Sequence, residues 1–82
     1  MDLVKLTETI ILSLVENKDM VNVKEFESDE ENTVLIQVMI DSADMGRVIG
    51  KAGKTANAVR TLVQASSFLG TNKRIRINID SY

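Results

Sequence analysis

Val34, Ile36, Val38 and Ile40 stand at alternate positions in the run from Thr33 to Ile40. Four β-branched side chains at period two make a strand with one face that must be buried. Such a strand is not stable alone and needs sheet partners and a cover of helices. The chain has segments for both. Leu3, Leu6, Ile10 and Leu14 recur at helical spacing, Val4, Ile11 and Val15 widen the stripe, and Asp2 is placed as an N-cap. This predicts a helix over roughly 3–16, ended by the turn-prone Asn17-Lys18-Asp19. Val21 and Val23 alternate with polar residues and Phe26 follows out of step, which predicts a first strand with a bulge or bend near Lys24-Glu25. The polar run Ser28 to Asn32 reads as a hairpin tip.

Beyond the alternating strand, Asp41 or Ser42 opens a short helical turn from Ala43 to about Val48, which Gly50-Lys51-Ala52-Gly53 interrupts. A long helix is predicted from about Lys54 to Leu69, with Gly70 where a C′ glycine belongs. A last strand over Lys73 to Asp80 sets Ile75, Ile77 and Ile79 on one face and Arg74, Arg76 and Asn78 on the other. The order α-β-β-α-α-β, without repeats or linkers, predicts a single α+β domain over 1–82. In it a three-stranded mixed sheet is covered on one face by three helices.

The 82 residues include no Cys and no His. That removes disulfides, thiolate chemistry and the commonest general base and metal ligand. With no convergent acid pair either, the expectation is a protein that is not an enzyme and uses no cofactor, metal or small-molecule substrate. Asp41 and Asp44 are better suited to capping a short helix than to holding Mg²⁺. Gly53-Lys54-Thr55 imitates the end of a nucleotide-binding P-loop, but Val48 stands where that motif needs a glycine. The longest apolar run is too short to span a bilayer, and the acidic Met1-Asp2 start lacks the basic region of a signal peptide. A soluble, cytoplasmic protein with no membrane partner is expected.

The net charge of −2 hides a segregation. Residues 1–45 carry 3 basic and 11 acidic side chains, residues 46–82 carry 7 basic ones and Asp80, and no acid lies between Gly46 and Ile79. Such asymmetry suits a polyanion-binding face when the bases converge on a feature with a use of its own. The two glycines provide one. Without Cβ atoms Gly50 and Gly53 let the backbone turn sharply and a ligand come close. The loop precedes a long helix, whose unpaired amides and dipole favour a phosphate. Lys51, Lys54 and Arg47 add charge.

The wording Gly46-Arg47-Val48-Ile49-Gly50-Lys51-Ala52-Gly53-Lys54 resembles the VIGxxG core of KH domains, and the element order resembles their type II arrangement. With Asp44-Met45 before it and Ala58-Val59-Arg60-Thr61-Leu62-Val63 after it, the chain is similar throughout to the small, free-standing bacterial KhpA-like family. The resemblance implies a cytoplasmic binder of single-stranded RNA, acting as an RNA chaperone or post-transcriptional regulator, often with a second KH protein of the Jag (KhpB) type. In the KH scheme the GxxG loop clamps about four nucleotides of backbone beside a groove for the bases. Carried onto this chain, Gly50, Ala52 and Gly53 form the clamp, Lys51 and Lys54 neutralise phosphates, and Arg47 flanks them. Ile49 first, with Val48, Ala56 and Val59 as further candidates, supplies the apolar floor, Val48 and Val59 being suited at least as well to the core; Arg74, Arg76 and Asn78 form the far wall. The brief Gly70-Thr71-Asn72-Lys73 connection, in the place of the variable loop, implies a small footprint. An aromatic base-stacking platform is disfavoured, with only Phe26, Phe68 and Tyr82 to build it.

A rival reading is a protein–protein module with little RNA binding of its own. The 54–69 helix carries one apolar stripe of Ala56, Val59 and Val63 and a second of Ala58, Leu62, Ala65 and Leu69. Together they exceed the usual apolar arc. The second stripe is either buried or the interface of a homodimer or heterodimer, which Phe68 could extend.

Overall fold

In the computed structural model, which describes residues 2–82, the alternating segment is the middle strand of three. β1 (Asn22–Glu27) lies antiparallel on one side of β2 (Thr33–Ile40), and β3 (Arg74–Ser81) lies parallel on the other. α1 (Leu3–Leu14) precedes the sheet, while α2 (Met45–Ile49) and α3 (Lys54–Leu69) form the crossover between the two parallel strands. The architecture is the α+β arrangement expected, in the order α-β-β-α-α-β. Ile36, Val38 and Ile40 are wholly buried against Ile11, Val48 and Val63 from the helices, with Val23, Ile77 and Ile79 on the flanking strands. Burying side chains of this kind contributes about 1.5–3 kcal/mol each before the entropy of ordering is set against it. The opposite face of the sheet is left open.

The structure corrects four local expectations. β1 pairs with β2 without interruption from Asn22↔Met39 to Glu27↔Val34, so there is no bulge at Lys24-Glu25. Phe26 is out of step because it lies with Lys24 on the open face, half exposed. The buried line of α1 is Leu3, Thr7 and Ile11, with Leu6, Ile10 and Leu14 only partly buried. Thr7 sits there because its hydroxyl donates to the Leu3 carbonyl at 2.7 Å, which satisfies the polar atom within the helix. Gly70 follows α3 with a negative φ of −112°, and the left-handed residue of that turn is Asn72, whose amide donates to the Ser67 carbonyl at 2.7 Å.

The fourth correction is the end of α1, two residues earlier than predicted, and its cause is Asp44, whose side chain does not cap the short α2 as expected but turns to α1. This fully buried carboxylate accepts the amides of Glu16 (3.1 Å) and Asn17 (3.0 Å) and an Arg47 guanidinium N–H (3.1 Å). The amides just past α1 are therefore claimed by the turn that opens α2. Lys18 completes the end by donating to the Leu12 and Val15 carbonyls at 2.9 and 3.0 Å. Asp44 thus ties the helix that covers the sheet to the helix that leads into the glycine loop.

The Asn17 and Glu16 amides, helped by Arg47, hold the Asp44 carboxyl below its ordinary value of 3.8. An acid easier to ionise in the folded chain than in the unfolded one stabilises the fold fully above that ordinary value, and the stabilisation drains away as pH falls from it toward the folded value. Acid titration followed by circular dichroism should show this transition in the natural chain. Asp44→Ala should lower the thermal midpoint at pH 7 by several degrees and flatten the profile below pH 4; an unchanged profile would remove Asp44 from this role.

Candidate nucleic-acid interface

The crossover from α2 to α3 turns at Gly50-Lys51-Ala52-Gly53. Gly50 has φ +75°, Ala52 +55° and Gly53 +77°, so three of the four residues lie in the region that L side chains avoid. Gly50 donates to the Gly46 carbonyl (3.0 Å), ending α2, and Gly53 donates to Gly50 (3.2 Å). The two glycines are held by different constraints. A Cβ on Gly50 would lie 2.2 Å from Thr55 Oγ1 and 2.9 Å from the Thr55 amide nitrogen. A Cβ on Gly53 would meet nothing nearer than Asn57 Nδ2 at 3.9 Å. Gly50 is required by packing within the loop, whereas Gly53 borders open space.

That open space lies at the start of α3. Asp2 caps α1 and Asp41 caps the turn at Ser42–Asp44, each by accepting a backbone amide. α3 begins on the left-handed Gly53 with no side-chain cap and no acid in its first turn, and its first residue is Lys54. A lysine at the positive end of a helix dipole opposes stability by a few tenths of a kcal/mol or more. The Lys54 amide donates to the Lys51 carbonyl, and the helix start without a side-chain cap, beside exposed Lys51 and Lys54, is a setting that favours an anion. Ile49, partly buried, packs at the loop's base.

The other residues singled out from sequence separate into groups. Val48, Ala56 and Val59 belong to the core, with exposures of 0, 1 and 4%, so they cannot floor a groove. Arg47 points toward the end of α1, ion-paired with Glu16 (3.0 Å) and Asp44 (3.1 Å). Arg74, Arg76 and Asn78 lie on the open-face side of β3. The Arg76 guanidinium is ion-paired with Glu30, and the Asn78 amide donates to Gln37 Oε1 at 2.9 Å. The second stripe of α3, at Ala58, Leu62, Ala65 and Leu69, is exposed, with Leu62 at 51% and Leu69 at 87%. It is not core.

A groove of about 480 Å³ runs between α3 and the free edge of β3, lined by Arg60, Gln64, Phe68, Arg74, Ile75 and Ile77. Arg60 Nε donates to the Ile77 carbonyl at 3.2 Å, and its Nη1 to Asn57 Oδ1 at 3.3 Å. The Gln64 side chain brackets the strand, donating to the Lys73 carbonyl (3.0 Å) and accepting from the Ile75 amide (2.8 Å). Arg60 and Gln64 were not singled out as groove residues from sequence. Periodicity places them on the polar arc of a helix, and only the return of β3 brings the strand edge beneath them. Arg60 stands seven residues after Gly53, two turns or roughly 10 Å along α3 and on the same side of it. The loop and groove therefore follow one side of one helix.

The geometry of the loop separates its residues by stability. Gly50→Ala should destabilise the fold by about 2–4 kcal/mol, from overpacking against Thr55 together with the positive φ. Ala52→Gly should instead stabilise it by up to about 1 kcal/mol, by releasing the left-handed conformation of a residue with a Cβ. Urea denaturation of both variants checks the pair, and equal midpoints would contradict the assignment.

Residues 4–79 match the family model described as KhpA/KhpB, KH domain. An RNA-binding protein KhpA from Caldanaerobacter subterraneus subsp. tengcongensis is 40% identical over 75 residues, covering 92% of this chain and 96% of that protein. One from Aquifex aeolicus is 47% identical over 64 residues, covering 78% and 75%. Among solved structures, an Aquifex aeolicus Era variant bound to GDP and aluminium fluoride superimposes with a TM-score of 0.71 at 15% identity. This chain is covered to 98% and spans 30% of that one. Era in complex with a magnesium-bound nucleotide and a segment of 16S ribosomal RNA gives 0.69 at 16%, covering 96% of this chain and 29% of that one. The Era likeness is one of fold, whereas the match along 4–79 and the relatives of the same length carry more: the chain belongs to the KhpA/KhpB family of KH domains.

Proposed function

We propose that this protein binds single-stranded RNA, holding a phosphate of the backbone at the Gly50–Gly53 loop and laying the strand along α3. The observation that carries this reading is the bare start of α3. It is a 16-residue helix with no side-chain cap, a left-handed glycine facing open space, and two exposed lysines. Relatives named RNA-binding protein KhpA support the choice of polyanion. Gly50, Ala52 and Gly53 shape the clamp, Lys51 and Lys54 neutralise phosphate, and Ile49 supplies apolar contact beside it. Arg74 and Arg76 extend the basic path at the far end of the groove, joined by Arg60. Arg47 is better read as a brace, since Asp44 and Glu16 already occupy its guanidinium. The protein is a binding domain, and its cellular work is that of an RNA chaperone or post-transcriptional regulator.

Few phosphates are within reach, about three to five, so the log–log salt slope for a single strand should be about −2 to −3.5. Affinity from one domain is then modest, and pairing of two domains would raise it through effective concentration. The exposed α3 stripe suits such pairing, as homodimer or with a KhpB-type KH protein. Leu62 and Leu69 continue into Phe68, itself 57% exposed, and isolated surface apolar residues do not normally cluster so.

Two measurements test these readings. Gly53→Asp adds a carboxylate where the phosphate is placed, in a position with room for a side chain, although the left-handed φ of +77° costs about 1–2 kcal/mol of stability. It should remain folded and lose about ten- to a hundredfold in affinity for short single-stranded RNA, and unchanged affinity in a folded variant would end the clamp reading in favour of a pure interaction module. For the stripe, Leu62→Asp should sediment as a folded monomer at concentrations where the natural chain is a dimer. A dimer that persists in the variant would place the interface elsewhere.

A further inference from the structure

The acidic hairpin between β1 and β2 is the strongest charged feature that the loop and groove leave unused. Glu25, Glu27, Asp29, Glu30 and Glu31 border a concavity there, with Lys73 as the one base among its lining residues. The hairpin is pinned to the α3–β3 connection. Asn32 Nδ2 donates to the Asn72 carbonyl at 3.1 Å, and the Arg74 amide donates to the Asn32 carbonyl at 2.9 Å. Glu30 reaches across to form its ion pair with Arg76, 46 residues away in the chain. This carboxylate therefore holds a cation on the same strand end that supplies Arg74 to the far end of the groove.

We propose that Glu30 is an intramolecular competitor of RNA and so an affinity-determining residue. It occupies the guanidinium that a phosphate would otherwise take and concentrates the grip on the strand at the glycine loop. The proposal rests on the RNA-binding reading of that loop. A guanidinium fork accepts a carboxylate and a phosphate with the same geometry, so the two can exchange at Arg76. The pair is 61% and 53% exposed, and exposed pairs are weak enough to be displaced by a ligand, which limits the effect to about two- to fivefold in affinity.

The test is a double-mutant cycle read by fluorescence anisotropy on a labelled oligouridylate of about eight nucleotides, twice what one KH groove holds. Glu30→Gln should bind about two- to fivefold tighter than the natural chain, and in an Arg76→Gln background the same change should bring little gain. Asp29→Asn removes a neighbouring charge without touching the pair and should bring less than Glu30→Gln. A gain of equal size in the Arg76→Gln background, or from Asp29→Asn, would mean that the hairpin acts through its general field, and the proposal falls. No gain at all overturns it too. Failure of the underlying reading looks different: the natural chain then shows no RNA affinity for Gly53→Asp to abolish, and both are overturned together.

Discussion

The parallel pairing of β2 with β3 is the constraint on which the rest depends. Parallel neighbours cannot be joined by a tight turn, so the chain must leave the top of β2, cross the sheet's buried face and return to its bottom. Eight residue pairs, from Thr33↔Arg74 to Ile40↔Ser81, fix that return. α2 and α3 form the crossing, and because α2 has only five residues the path must bend at once to bring α3 down over the core. The glycine loop is that bend. Its position at the start of a long helix, and the groove beside the edge of β3, are both products of the crossover. The place of the glycine loop, at the start of a long helix and beside a strand edge, is therefore built into the topology.

Charge is then distributed with economy around this frame. The ends of α1 are closed by Asp2, Lys18 and Asp44, while the start of α3 is left open among lysines. Of the cations near the site, Arg47 and Arg76 are held by carboxylates, so Lys51 and Lys54 carry the unpaired charge at the loop among the described residues. The segregation visible along the sequence becomes a more local contrast. The acidic half of the chain contributes the partners that quiet two arginines, and Lys51 and Lys54 are among the five cations after residue 45 that form no ion pair among the described residues.

How much of this was legible in the sequence depended on whether a residue's role is local. The alternation of Val34 to Ile40, the bounds of the 54–69 helix and the paired glycines are patterns of neighbours, and they appear where expected. Thr7 was missed as a core position because a hydroxyl looks polar until its bond to the preceding turn is seen. Phe26 was assigned to a bulge because its face depends on a pairing register that one strand alone does not reveal. The core roles of Val48, Ala56 and Val59 depend on what packs against them. Arg60, Gln64, Arg47 and Arg76 share one reason for being hard to read. Apart from the nearby Ala43, Asp44 and Asn57, their partners lie 9 to 46 residues away, and no periodicity encodes such contacts.

The bracket that Gln64 places on β3 has one more consequence. A strand at the border of a sheet offers its amides and carbonyls as a template to any other extended chain. The Gln64 amide donates to the Lys73 carbonyl and accepts from the Ile75 amide, as a residue of an adjoining parallel strand would, and Arg60 covers the Ile77 carbonyl. These two side chains act as a false neighbour over the first half of the strand. A nascent or damaged copy arriving at that border finds three of its hydrogen-bonding groups already engaged, so the stretch on which it could pair is shortened beside the groove.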